Sequence, residues 1–273
     1  MPELPEVETV RLGLEQWCLD KSIAAVELLH PRATNPRSLA PISAISGATI
    51  KKIARRGKFL WFELDRPLTL VAHLGMSGQF RVAPPGTADE KHLRARLVMN
   101  QRELRFIDQR TFGWLAVCAM HGDLPELVTA IAADPFDDAF DRQSVARRVK
   151  SKKSEIKRVL LDQSVMSGVG NIYADESLWR ARIHPQTPAA ALSIRKIGAL
   201  LDAAKFVMSQ ALLEGGTSFD SLYTNVNGES GYFAHSLEAY GREDQLCSRC
   251  GSQIRRITFG GRSSHFCPKC QSL

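Results

Sequence analysis

The chain has 273 residues, 44% of them hydrophobic and 24% charged, which suits a folded protein with a sizeable core and room for two domains. No window approaches the ~18 apolar residues of a membrane span, and the acidic N-terminal stretch lacks the basic and apolar regions of a signal peptide. A net charge of +7 points instead to a polyanionic partner, nucleic acid first, met in the cytosol.

The chain begins Met1-Pro-Glu-Leu-Pro-Glu-Val-Glu8. Loss of Met1 would leave Pro2 as a secondary amine, and an α-amino group with a pKa near ~8 is partly neutral and nucleophilic at physiological pH. Glu3, Glu6 and Glu8 follow closely enough to hold or exchange protons with it. Pro5 suits the first turn of a helix, and Val7, Val10, Leu14 and Trp17 recur at helical spacing, so a buried helix would anchor the amine. Taken alone, the stretch reads first as an ordinary helix start with a frayed tip.

Short strands follow at 23–29, 48–53, 59–64, 68–74, 79–82, 93–99, 103–107 and 114–117, which together predict a β-sandwich. A basic turn, Arg55-Arg-Gly-Lys58, separates the second and third, and a glycine-punctuated loop, His73-Leu-Gly-Met-Ser-Gly78, ends the fourth. The pattern changes near Leu124. A short helix is expected at 127–132 and a linker at 134–141. Helical periodicity then runs through Val145 and Val149, Ile156 to Leu160, 172–179 and 194–213, with Ser164-Val-Met-Ser-Gly-Val-Gly-Asn171 between the second and third helices. Gly215-Gly216 ends the long helix, and a polar loop runs on to Gly231.

Charge is unevenly placed. Residues 142–158 hold eight Lys or Arg against Glu155, and 242–273 hold six against Glu243 and Asp244. A solvated helix face would alternate signs. Cys247-x-x-Cys250 and Cys267-x-x-Cys270, sixteen residues apart, have the spacing of a four-thiolate zinc ribbon. Four thiolates leave no open coordination position, so one Zn2+ would be structural. Disulfides are the weaker alternative without a secretion signal. Cys18 and Cys118, in apolar surroundings, read as inert core residues. Gly260-Gly-Arg262 places a cation on a hairpin tip, where it could meet a phosphate or simply be solvated.

Pro2-Glu-Leu-Pro-Glu6, Gly168-Val-Gly-Asn-Ile-Tyr-Ala-Asp-Glu176, Gly231-Tyr-Phe with Tyr240-Gly-Arg242, and the ribbon occur in the order of the Fpg/Nei family. That family comprises bacterial formamidopyrimidine-DNA glycosylases and endonuclease VIII-type enzymes, and the chain resembles it from Pro2 to Gln271. The resemblance implies an α+β protein: an N-terminal helix plus antiparallel β-sandwich, then a helical domain with a helix–two-turns–helix and a four-cysteine zinc ribbon. The expected divisions are 1–133, 134–240 and 241–273. It also implies a monomeric, cytoplasmic, nucleoid-associated bifunctional DNA glycosylase/AP lyase of base excision repair. Its partner would be double-stranded DNA carrying oxidised purines (8-oxoguanine, formamidopyrimidines) or abasic sites.

By the same resemblance Pro2 attacks C1′ of the damaged nucleotide, Glu3 is the general acid/base and Glu6 orients the N-terminus. Lys58 contacts the target nucleotide and assists the chemistry, and Arg262 grips the flanking phosphates. Met76, Arg110 and Phe112 fill the void left by the flipped nucleotide and favour the formamidopyrimidine branch. His73, His92, Lys153 and Asn171 lie against the DNA backbone. Two alternatives remain at this level: an endonuclease VIII-type enzyme for oxidised pyrimidines, and a non-catalytic zinc-ribbon DNA-binding protein. One departure concerns the loop after the long helix, where Asp220 stands near a position at which several members carry a cation.

Overall fold

The computed structural model describes residues 2–216 and 236–273. Met1 and the segment containing Asp220 lie outside the described residues. The chain divides into two compact units, one within 1–130 together with Gly215 and Gly216, the other within 131–214 and 236–273.

The first unit is a helix packed with a β-sandwich. Helix α1 (Leu4–Cys18) begins with Pro5 in its first turn and buries Leu4, Val7, Val10, Leu14 and Cys18, while Arg11 on its other side pairs with Glu8 and Glu15. Each of those buried aliphatic side chains contributes about 2 kcal/mol, so the helix start is fixed from below. Strands β1 (Ile23–Leu28), β6 (Leu93–Met99), β7 (Arg102–Asp108) and β5 (Gly78–Ala83) form one antiparallel sheet in that order. Strands β2 (Ile50–Arg56), β3 (Phe59–Leu64), β4 (Thr69–His73) and β8 (Trp114–Cys118) form the other. In β6, Leu93, Ala95, Leu97 and Met99 alternate inward, the period-2 signature of a sheet with one wet face. Two minor strands, β9 (Met120–His121) and β10 (Leu124–Pro125), close the unit.

The short helix expected at 127–132 is not formed; a 3-10 turn, Glu126–Val128, stands there instead. The Ala132 N–H leaves the segment to bond the Gln163 carbonyl, which draws the chain off any helical path. Within the segment at 134–141, read as a linker, Asp134 and Pro135 are buried, and Asp134 accepts the Phe136 N–H. Asp141 caps α2 (Arg142–Lys150) by accepting from Gln143 N–H.

In the second unit α3 (Ile156–Leu161), α4 (Asn171–Ala181) and α5 (Ile194–Leu213) follow. Helix α5 buries a stripe including Ile197, Leu201, Ala204, Met208 and Ala211. Gly198 leaves room for the Arg142 guanidinium, which would lie 2.6 Å from a Cβ there and is bonded to Asp202 at 2.6 Å. Strands β11 (Arg255–Phe259) and β12 (Arg262–Phe266) make the ribbon hairpin, whose small core joins Trp179, Ala239, Cys247, Ile254 and Cys267. No helix among the described residues is long and apolar enough to cross a membrane.

Candidate functional site

Pro2, Glu3 and Glu6 are all buried at the start of α1. Glu3 is the N-cap residue, and Glu6 Oε2 accepts its backbone N–H at 2.8 Å. The residue beside Pro2 is therefore tied down by a carboxylate one turn further on, and negative charge at a helix N-terminus is stabilised by the helix dipole. Gly216, at φ +89°, lies against the same carboxylate: a Cβ there would stand 3.2 Å from Glu6 Cγ. Glu8 does not share in this arrangement. Burial works to raise its carboxyl, but hydrogen bonds and charge from Arg11 and Arg55 hold it below the ordinary range. Of the three carboxylates following Pro2, this one is committed to guanidinium groups rather than to proton exchange.

Lys58 is buried where β2 turns into β3 across Gly57, which adopts φ +57°. His73, at the end of β4, pairs in register with Phe59; its ring stacks on Trp114 at 5.8 Å and tilts against Phe59 at 5.0 Å. Burial, then the charge of Lys58, pushes His73 down to about 4, so the ring is neutral at physiological pH. Gly75 N–H donates to its Nδ1 at 3.2 Å, which leaves the proton on Nε2. His73 is thus a neutral hydrogen-bond donor in one tautomer.

Met76, Arg110 and Phe112 come together on two adjacent loops, β4–β5 and β7–β8. Met76 is 37% and Phe112 56% exposed, unusual for large apolar side chains in loops this tightly held, and the Arg110 guanidinium lies 5.4 Å from the Phe112 ring. His92, half-buried, precedes β6, its Nδ1 lies 3.4 Å from Arg94 Nη2, and its carbonyl accepts the Asp108 N–H.

The basic run in the second unit is less available than its sequence suggests. Arg142 pairs with Asp202, Lys152 with Asp162, Arg158 with Glu155 and the fully buried Lys157 with Asp175. Arg148 and Lys150 donate to the carbonyls of Ser164, Ala190 and Leu192. Among the described residues Arg147 and Lys153 keep side chains without a protein partner. In the turn before α4, Gln163 accepts the Gly168 N–H and donates to the carbonyls of Leu161 and Val169. Gly168 takes φ +93° and the N-cap, Gly170, has no capping side chain. Asn171 opens α4; its Nδ2 donates to the Ser263 carbonyl at 3.0 Å, while its Oδ1 is buried without a hydrogen-bond partner.

Arg262 is exposed at the first position of β12. Gly260 and Gly261, both at positive φ, form the two-residue turn that pairs Phe259 with Arg262, a conformation in which Cβ-bearing residues are strained. Arg158 lies beside this tip, 3.5 Å from where a Gly260 Cβ would be. Sequence reasoning missed what positions the hairpin. Asp175, fully buried on α4, accepts from Lys157 Nζ (2.7 Å), Ser264 Oγ (2.8 Å) and His265 N–H (2.8 Å). Glu176 accepts the N–H groups of Glu238, Ala239 and Tyr240. Burial pushes the Glu176 carboxyl up to about 6 against these donors. The available signal was two adjacent acids on a helix otherwise apolar on several sides.

The four predicted cysteines converge, their Sγ atoms all within 4.8 Å of one another. Tetrahedral thiolates at ~2.3 Å from zinc stand ~3.8 Å apart, and Cys250 Sγ lies 3.4 Å from Cys267 Sγ, so the donor set and its spacing fit one Zn2+ with no position left for substrate. Cys18 is buried and pushed up to about 12 by that burial, and burial also raises Cys118; neither thiol is primed to react.

Three family models match the chain: formamidopyrimidine-DNA glycosylase N-terminal domain over residues 1–115, its H2TH domain over 131–222, and the zinc finger found in FPG and IleRS over 244–273. A formamidopyrimidine-DNA glycosylase of Nocardioides sp. (strain ATCC BAA-499 / JS614) is 54% identical, covering 99% of this chain and 94% of its own. A mutant Lactococcus lactis FPG complexed with Fapy-dG-containing DNA superimposes with a TM-score of 0.91 at 35% identity, covering all of both chains. The same organism's Fpg with abasic-site DNA gives 0.91 at 34% identity, covering 99% of this chain and 100% of the other.

Proposed function

The chain belongs to the formamidopyrimidine-DNA glycosylase family, and from that premise we propose that it removes oxidised purines from duplex DNA through the amine of Pro2 and then cleaves the abasic strand. The observation that carries the reading is the burial of Pro2 and Glu3 on a helix start held by Glu6. A frayed tip, the ordinary alternative, would be exposed and unbonded.

With Met1 removed, the Pro2 nitrogen lone pair attacks C1′ while the C1′–N bond to the damaged base breaks, the base leaving with that electron pair and taking up the proton that the Pro2 nitrogen gives up. Glu3 delivers a proton to the sugar ring oxygen as the ring opens, and the nitrogen becomes an iminium. That cation acidifies the C2′ proton. Its removal expels the 3′-phosphate, and a second elimination expels the 5′-phosphate, leaving a one-nucleotide gap. Only an amine at this position can form the iminium. Lys58, buried beside His73, contributes positive charge next to the target sugar. Arg262 stabilises the departing phosphate electrostatically, because a guanidinium with pKa above ~12 is a poor proton donor.

Flipping the nucleotide costs a few kcal/mol, on the order of one stacked step. Met76 and Phe112 occupy the hole, and Arg110 offers donors to the O2 and N3 of the orphaned cytosine. Lys153, Asn171, His92 and the neutral donor His73 hold the backbone without reading sequence, as an enzyme that searches all sequences requires. Zinc, when bound, fixes the ribbon that carries Arg262. The functional divisions fall at 133 and 240, the enzyme acts as a single chain, and it works where the chromosome lies.

The test is borohydride trapping across duplexes containing 8-oxoguanine opposite C, a formamidopyrimidine, thymine glycol or an abasic site, with mass spectrometry confirming loss of Met1. Covalent complexes are expected with the purine lesions and the abasic site. A preference for thymine glycol would favour the endonuclease VIII-type reading, and no complex with any duplex would leave a non-catalytic DNA binder.

A further inference from the structure

We propose that Asp108 is the positioning residue of the void-filling apparatus: one buried carboxylate locks the Met76 and Arg110–Phe112 loops into a single rigid wedge before DNA arrives. The proposal rests on the reading of Met76, Arg110 and Phe112 as void fillers.

The side chain is fully buried at the end of β7 and makes no ion pair among the described residues. Its Oδ1 accepts from Ser77 Oγ at 2.5 Å and from Arg110 N–H at 3.2 Å; its Oδ2 accepts from Gly113 N–H at 2.7 Å. Ser77, adjacent to Met76, also accepts the Arg110 N–H at 3.0 Å. The backbone is engaged as well: Asp108 N–H donates to the His92 carbonyl at 2.9 Å and its own carbonyl accepts from Arg94 Nε at 2.7 Å.

Three features show that this geometry is imposed rather than relaxed. Thr111 is held at φ +56°, a left-handed conformation that strains a β-branched residue. The two loops touch backbone to backbone, since a Cβ on Gly75 would stand 2.4 Å from the Phe112 carbonyl carbon. Burying a carboxylate without a cation is itself costly and is offset here by donors converging on both oxygens. An asparagine would present an NH2 where one of those donors now points. What the arrangement achieves is the exposure of two apolar side chains and a guanidinium on loops that cannot collapse inward. A wedge fixed beforehand does not lose conformational freedom on insertion.

The test compares Asp108→Asn and Ser77→Ala with the native enzyme and with a Met76→Ala/Arg110→Ala/Phe112→Ala variant. Two substrates are used: an 8-oxoguanine:C duplex, which needs the wedge, and a single-stranded abasic oligonucleotide, which leaves no hole to fill. A fluorescent cytosine analogue opposite the lesion reports insertion directly. Asp108→Asn should slow duplex excision about 100-fold, the scale of a misplacement near 1 Å, and Ser77→Ala about tenfold. Both should retain single-strand cleavage within about threefold and lose the fast fluorescence change, as the triple variant does. If both substrates suffer equally in Ser77→Ala, or if Asp108→Asn excises normally while the triple variant is impaired, Asp108 does not position the wedge. A triple variant that excises normally would instead refute the void-filling reading on which the proposal stands.

Discussion

The start of α1 and the tip of the ribbon hairpin carry the proposed nucleophile, Pro2, and the proposed phosphate contact, Arg262, and they are fixed in opposite ways. Pro2 sits on a helix whose buried face is apolar and whose cap is closed by Glu6, three residues from Glu3. Arg262 sits on a hairpin held by partners far away in sequence. Asp175 binds Ser264 and His265 across 89 and 90 residues, and Asn171 reaches Ser263 across 92. The four-cysteine cluster completes that hairpin's support. Local bonds and an apolar face survive loss of metal or of a distant partner. A polar, metal-dependent mount does not. The mount of Pro2 is accordingly robust and that of Arg262 conditional.

The first test breaks the conditional side. Cys267→Ser, or chelation, should release zinc and weaken DNA binding on the order of 100-fold as phosphate contacts are lost. Trapping on a single-stranded abasic oligonucleotide should persist. Equal loss of both would show that the two mounts are not separable. Next, Asp175→Ala removes the buried carboxylate that accepts from Lys157, Ser264 and His265 and should destabilise the second unit by about 3–5 kcal/mol in chemical unfolding; a change under about 1 kcal/mol would exclude the network as the hairpin's anchor.

A smaller effect tests the robust side through pH. His73 is held neutral down to about 4, below its ordinary value, so the unfolded chain takes up its proton first. The stability associated with this group is complete above ~6.5 and falls as pH drops from there towards about 4, by up to roughly 3 kcal/mol. The difference between native and His73→Gln stabilities should follow that window; a flat difference would show that the ring is not desolvated. Least of all, Glu6→Ala removes the acceptor of the Glu3 N–H and should cost about 1 kcal/mol, with trapping slowed but not abolished. Unchanged trapping kinetics would remove Glu6 from the mount.

These contrasts also explain what could be read without coordinates. Local features were legible: the α1 spacing of Val7, Val10 and Leu14, the alternation of β6, the paired cysteine knuckles and the Gly260-Gly261 turn each follow from a few neighbouring residues. The segment 127–132 was misread because a tertiary bond from Ala132 to Gln163 overrode a short helical pattern. The basic run overstated the phosphate-binding surface because Lys157 pairs inside the core and several neighbours cap carbonyls. Asp108, Asp175 and Glu176 were invisible as organisers. A buried acid and a solvated one have the same letter, and what distinguishes them here is which backbone N–H groups the fold brings to them.

We propose that it is the Pro2 nitrogen that forms the covalent intermediate. The most direct test is to trap the enzyme on an 8-oxoguanine:C duplex with borohydride, digest the product and locate the deoxyribose remnant by tandem mass spectrometry. The expected outcome is a single adduct on the N-terminal peptide, at the Pro2 nitrogen, absent when that amine is blocked. An adduct on Lys58 or on any internal lysine would contradict it.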